Sequence, residues 1–163
     1  MIRDLNHKKY MKVALSEATK AGERGDLPIG AVIVHNGKII SHGSNHIRTK
    51  SSQVAHAEIE AIHQAAPYLQ KYARECVLYT TLEPCVMCLP TIVMANIRNI
   101  VYALDDHYME TKQMISNTDY LKKRVHNYIG GVLAEESLNL LKKYDPQTAE
   151  VALYGINALK REK

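Results

Sequence analysis

Residues 56–58, His-Ala-Glu, and residues 84–88, Pro-Cys-Val-Met-Cys, place one imidazole, two thiols and one carboxylate in two short runs. One histidine and two cysteines are three of the four ligands of a tetrahedral zinc, with the fourth position left open. Water at such a position ionises near neutral pH, so the pattern points to hydrolytic chemistry. Cys85 and Cys88 are three apart, and on the first turn of a helix that spacing turns both thiols to one side. The helix N-terminus favours the thiolates that zinc requires. Glu58 follows His56 by two, a helical spacing that diverges, so it is a poor second ligand. It suits an acid/base beside the metal that takes a proton from water and delivers it to the substrate. Two other readings stay open. A closed structural zinc site would need a fourth ligand, for which His46, His63 and His107 are candidates that their spacing does not separate. Without metal, Cys85 and Cys88 would be small buried hydrophobes.

Outward from these runs, the pattern predicts a helix from about Asp4 to Glu23, ended by Gly22 and Gly25. Ile29–Val34 and Lys38–His42 flank Asn36-Gly37, a strong hairpin signal. Residues 43–55 read as loop, and a helix runs from His56 to Ala66, stopped by Pro67. Strands are predicted over Cys76–Thr80, Ile97–Ala103 and Arg124–Tyr128. Helices are predicted over Val86–Met94, with Pro90 bending its first turns, over Leu133–Tyr144, and from Asp145-Pro146 to about Leu159. Residues 104–121 carry the weakest pattern. The order implies an α/β fold: a three-layer α/β/α sandwich around a mixed sheet of about five strands. With no repeat or Pro/Gly-rich linker, residues 1–163 read as a single domain with 145–163 as a C-terminal helical extension. That extension is expected to pack on the domain or on a partner subunit rather than on substrate.

The 163 residues carry 21 Lys+Arg against 17 Asp+Glu, a net +4 too small to demand a nucleic acid partner. No apolar run approaches the ~20 residues that cross a bilayer, and residues 1–6 hold no signal-peptide core, so no membrane role and a cytoplasmic location are expected. Three cysteines, two of them closely spaced, suit a metal site better than disulfides. There is no Phe or Trp, so any ring stacking on a planar substrate is a Tyr or a His; His107 and Tyr108 are candidates.

Gly30–Val34, Asn45, His56–Ile59 and Tyr79–Cys88 together resemble the cytidine deaminase superfamily, within it the branch of tRNA-specific adenosine deaminases and bacterial guanine deaminases. The likeness covers roughly residues 8–145. It implies the α/β/α fold, a homodimer, one Zn²⁺ per chain held by His56, Cys85 and Cys88, and Glu58 as proton shuttle. It also implies that Asn45 hydrogen-bonds the substrate base and that the Ala57 N–H meets the ring's other polar edge. Asp106 falls where the tRNA enzymes keep an aspartate. Two stretches depart: Leu89-Pro90-Thr91 replaces small residues, and residues 105–110 replace a Lys-Thr-Gly-Ala-like loop. These departures put a free purine-type base such as guanine first as substrate and tRNA adenosine second. The tRNA version expects Lys122, Lys123, Arg124 and the tail lysines to line one groove leading to the zinc. A non-catalytic zinc-stabilised interaction domain is the third reading.

Overall fold

The computed structural model describes residues 2–157. Helix α1 (His7–Glu23) starts at Asn6, whose side chain accepts from the Lys9 N–H. Strands β1 (Gly30–His35) and β2 (Lys38–Ser44) form the expected antiparallel hairpin. Asn36 and Gly37 both hold positive φ, 48° and 76°, as a two-residue turn between twisted strands requires. Then come α2 (Ala57–Tyr72), β3 (Val77–Leu82), α3 (Cys88–Met94), β4 (Asn99–Leu104), α4 (Thr111–Asn117), α5 (Asp119–Arg124), β5 (Asn127–Ile129), α6 (Ala134–Tyr144) and α7 (Pro146–Tyr154). The five-stranded sheet has the order β2-β1-β3-β4-β5. β1 is antiparallel to both neighbours, and β3, β4 and β5 run parallel.

Strand side chains alternate between two cores. Ala31, Ile33, Leu78 and Ile100 face the layer that holds α2 and α3. Val32, Val34, Tyr79 and Val101 face α1, with Leu133 and Leu140 beside them. Helices therefore cover both faces, which is the expected three-layer α/β/α sandwich.

Several local expectations change. Pro67 does not stop α2, which continues to Tyr72. Pro67 and His63, four residues earlier, both lie on the exposed face, so water can take the carbonyl left without a donor. Ala61, Ala65 and Leu69 keep the buried stripe running past it. Pro90 does not bend α3: the helix starts at Cys88, so Pro90 sits in a first turn where no N–H is needed. Gly22 lies inside α1, and Gly25, at φ 90°, follows the helix end. Arg124 ends α5 rather than opening a strand, since Val125 N–H still donates to Leu121. Residues 104–121 hold all of α4 and the first half of α5. Helix α7 ends at Tyr154, before Gly155 at φ 59°, and its predicted end near Leu159 lies outside the described residues.

Candidate active site

The three candidate ligands come from two helix approaches. His56 is the N-cap residue of α2, in extended backbone, so its ring stands off the helix end. Cys85 lies in the turn after β3, and Cys88 is the first residue of α3. His56 Nδ1 lies 3.6 Å from Cys85 Sγ and 3.4 Å from Cys88 Sγ. A tetrahedral zinc with ordinary Zn–N and Zn–S bonds separates its N and S ligands by roughly 3.6 Å, so the three atoms fit that ion. The Gln53 backbone accepts from the His56 ring, the outer contact that orients a ligating imidazole. The Cys88 N–H donates to Cys85 Sγ at 3.4 Å. Hydrogen bonds from Cys88, then His56, hold the Cys85 thiol down to about 4. Cys88 is pushed up, first by the bond it shares with Cys85, then by burial and by Glu58. One imidazole and two neighbouring thiols are a donor set suited to a zinc dication. Among the described residues, His56, Cys85 and Cys88 are the group placed to hold a metal, and His46, His63 and His107 do not join it.

Glu58, in the first turn of α2, is 4% exposed. Its Oε1 accepts from Thr80 Oγ1 at 3.1 Å, and Oε2 lies 3.5 Å from Cys88 Sγ. Burial first, and then the Cys85 charge, raise its pKa. Its carboxyl therefore borders the ligand set without belonging to it.

A cavity of about 340 Å³ opens over this group. Its floor is His56, Glu58 and Cys85, and Leu27, Ile29, Leu82 and Met109 give it apolar walls. Asn45, just past β2, is buried; its Oδ1 accepts from Ile47 N–H, and its Nδ2 has no partner. Asn45 is among the residues that line the cavity. Asp106 is buried in the wall, where its carboxylate accepts from the Tyr108 and Met109 N–H groups, and burial raises its pKa. Tyr108 reaches the cavity, whereas His107 is exposed and donates its backbone N–H to Ala152. Ala57 is fully buried and does not line the cavity.

Three wall features escaped the sequence. Glu83 is buried and accepts from Thr111, Tyr128 and the Asp106 N–H. Arg48 ion-pairs with Asp145, which also caps α7 by accepting from Thr148 N–H. Helix α7 packs on the domain through Ala149 and Ala152, as expected of the extension. It also lines the cavity with Gln147, Thr148, Val151 and Ala152, a position that nothing in the sequence signals. The cause is the Arg48–Asp145 pair, which joins positions far apart in sequence. Among the described residues the expected basic groove does not lead to the site: Lys123 and Arg124 line a different cavity, not the one over His56.

This fold, with one imidazole, two thiols and a neighbouring buried carboxylate, defines a zinc-dependent deaminase. Residues 5–104 match the family model described as the cytidine and deoxycytidylate deaminase zinc-binding region, and the chain belongs to that family. A tRNA-specific adenosine deaminase of Bacillus subtilis (strain 168) is 36% identical over 138 residues, 83% of this chain and 86% of that protein. A guanine deaminase of the same organism is 41% identical over 105 residues, 62% of this chain and 66% of that protein. Against three of the curated relatives the matching stretch spans 64–66% of their length. A solved structure from a study of A-to-I editing by tRNA:A34 deaminases at the wobble position of transfer RNA superposes with a TM-score of 0.68 at 34% identity. It covers 82% of this chain and 99% of that one. No helix among the described residues is long and apolar enough to cross a membrane.

Proposed function

We propose that this chain deaminates adenosine to inosine in tRNA. The observation that carries the reading is the relative matched over most of both chains, which bears that activity. This reverses the order expected from the sequence, where a free base came first. Zinc, when bound, would supply the Lewis acidity that ionises water at neutral pH. Glu58 accepts one proton of the attacking water and passes it to the ring nitrogen beside the amino-bearing carbon; it then takes the remaining proton of the added hydroxyl and delivers it to the amine, which leaves as ammonia. Its burial and raised pKa suit a carboxyl that must hold a proton between those transfers. Asn45 Nδ2, a buried donor without an acceptor, meets a ring acceptor of the base. Tyr108, with Asp106 fixing its loop, lies against the ring; Ala57, outside the cavity lining, is left without the substrate contact that the resemblance implied. The apolar walls exclude bulk water.

A second reading, a free purine base such as guanine, is favoured by α7. Its four cavity-lining residues add a wall to a cavity of about 340 Å³, a size suited to a small molecule. An ammonia-release screen separates the two readings. It would test guanine, adenine, cytosine, their nucleosides and a tRNA anticodon stem-loop, each with one zinc per chain. Inosine in the stem-loop is the expected result. Turnover of guanine alone selects the second reading, and no turnover of any substrate returns the chain to a zinc-stabilised interaction domain.

In this reading residues 1–163 form one deaminase domain that works as a homodimer. Val86, Met94 and Tyr120, 45%, 66% and 43% exposed, offer apolar surface for a second copy. Met94→Glu is expected to yield a monomer in sedimentation.

A further inference from the structure

Arg74, Arg98, Lys123, Arg124 and His126 line a cavity of about 340 Å³ that shares no lining residue with the candidate active site. The topology sets them apart. Because β3, β4 and β5 run parallel, their first residues share one end of the sheet. Arg74 lies in the short turn before β3, and Arg98 and His126 immediately precede β4 and β5. Glu83 and Asp106 follow the opposite ends of β3 and β4. The six residues of β4 put roughly 20 Å between the two ends at about 3.3 Å per residue.

Arg98 is only 6% exposed. Its Nη2 donates to Asn96 Oδ1 at 2.9 Å, while its Nη1 is buried with no partner. Among the described residues, no carboxylate forms an ion pair with Arg74, Arg98, Lys123 or Arg124. The Arg124 guanidinium lies 3.7 Å from the Tyr120 ring centroid, an arrangement that leaves its N–H donors unused. Burial first, then the Arg124 and Arg74 charges, lower the Arg98 pKa, as expected where cations converge without a counter-charge. A buried guanidinium with neither counter-ion nor full hydrogen bonding is costly, and an anion would relieve both defects.

We propose that this cavity is a binding site for a phosphate-type oxyanion: inorganic phosphate, a phosphate monoester, or a phosphodiester of RNA. Arg98 Nη1 donates to one oxygen, and Arg74, Lys123 and Arg124 balance the charge. A tetrahedral, multiply charged anion suits four cations better than a lone carboxylate does. The site is independent of which base is deaminated.

Titration calorimetry and thermal unfolding at constant ionic strength test it, with chloride replaced stepwise by inorganic phosphate. Saturable heat and a rising unfolding temperature are expected for the full chain. Lys123→Ala and Arg124→Ala, on the cavity's outer side, should each weaken phosphate binding about tenfold. Arg98→Met should lose the phosphate response while unfolding in chloride no earlier than the wild type. Nucleoside 5′-monophosphate and short single-stranded RNA arms distinguish the sources: a free phosphate ligand binds as the monophosphate does, whereas a phosphodiester site prefers RNA. Either preference, lost in the variants, supports the site. No saturable heat in any arm overturns it, as does an equal response in Arg124→Ala and Lys123→Ala. Those two variants carry the test should Arg98→Met fail to fold.

Discussion

Glu58 shows what one buried carboxylate requires: burial and the Cys85 charge raise its pKa, and Thr80 is its one hydroxyl donor. Glu58→Gln keeps the shape and, under the proposed function, removes the proton carrier. Ammonia release should fall by about 10² to 10⁴ while metal analysis finds zinc content unchanged. Asn45→Ala removes the free Nδ2 donor, and kcat/KM should fall about tenfold or more for any substrate turned over. Both residues are legible in the sequence, Glu58 from its spacing to His56 and Asn45 from the resemblance. Glu83 is not. It acquires its place in the wall only when β3 and β4 end side by side and Thr111 and Tyr128 fold over it.

At the level of elements, the site depends on how closely α2 approaches β2. A Cβ at Gly43 would stand 2.0 Å from the Ala57 carbonyl and 2.7 Å from the Ala61 nitrogen. Gly43→Ala should therefore cost about 1–3 kcal/mol in denaturant unfolding and displace His56 and Glu58 together. The loop after β2 hangs on Asp26. Burial alone would raise its pKa, but hydrogen bonds from Thr49, Arg24 and the Arg48 N–H hold it down to about 2 from 3.8. A depressed carboxylate stabilises the fold above its unfolded pKa, and that contribution is lost as pH falls through 3.8 towards 2. Acid unfolding should show a loss of about 2 kcal/mol across that window, absent in Asp26→Asn. The hairpin and the first half of α2 were legible because Asn-Gly and a 3.6-residue stripe are local signals. Helix α2 runs through Pro67 because that residue is exposed, and its exposure, set by tertiary packing, leaves no local signal. Helices α4 and α5 were illegible because each buries one residue, Thr111 and Leu121.

Across the whole molecule, the metal set ties the start of α2 to the turn between β3 and α3. Removing zinc with a chelator should abolish activity and lower the unfolding temperature by roughly 5–10 °C, both restored by added zinc in calorimetry. The cavity also divides along the chain. His56, Glu58, Cys85, Cys88 and Asn45 all fall within the family match, which ends at residue 104. Asp106, Tyr108, Met109 and the α7 residues come after it. Transplanting residues 105–157 from a relative should therefore switch the base that is processed while zinc content stays constant, as product chromatography and metal analysis would read. The Arg48–Asp145 pair is the seam of such a graft, the point where the segment that carries the candidate ligands is tied to the segment that closes the cavity.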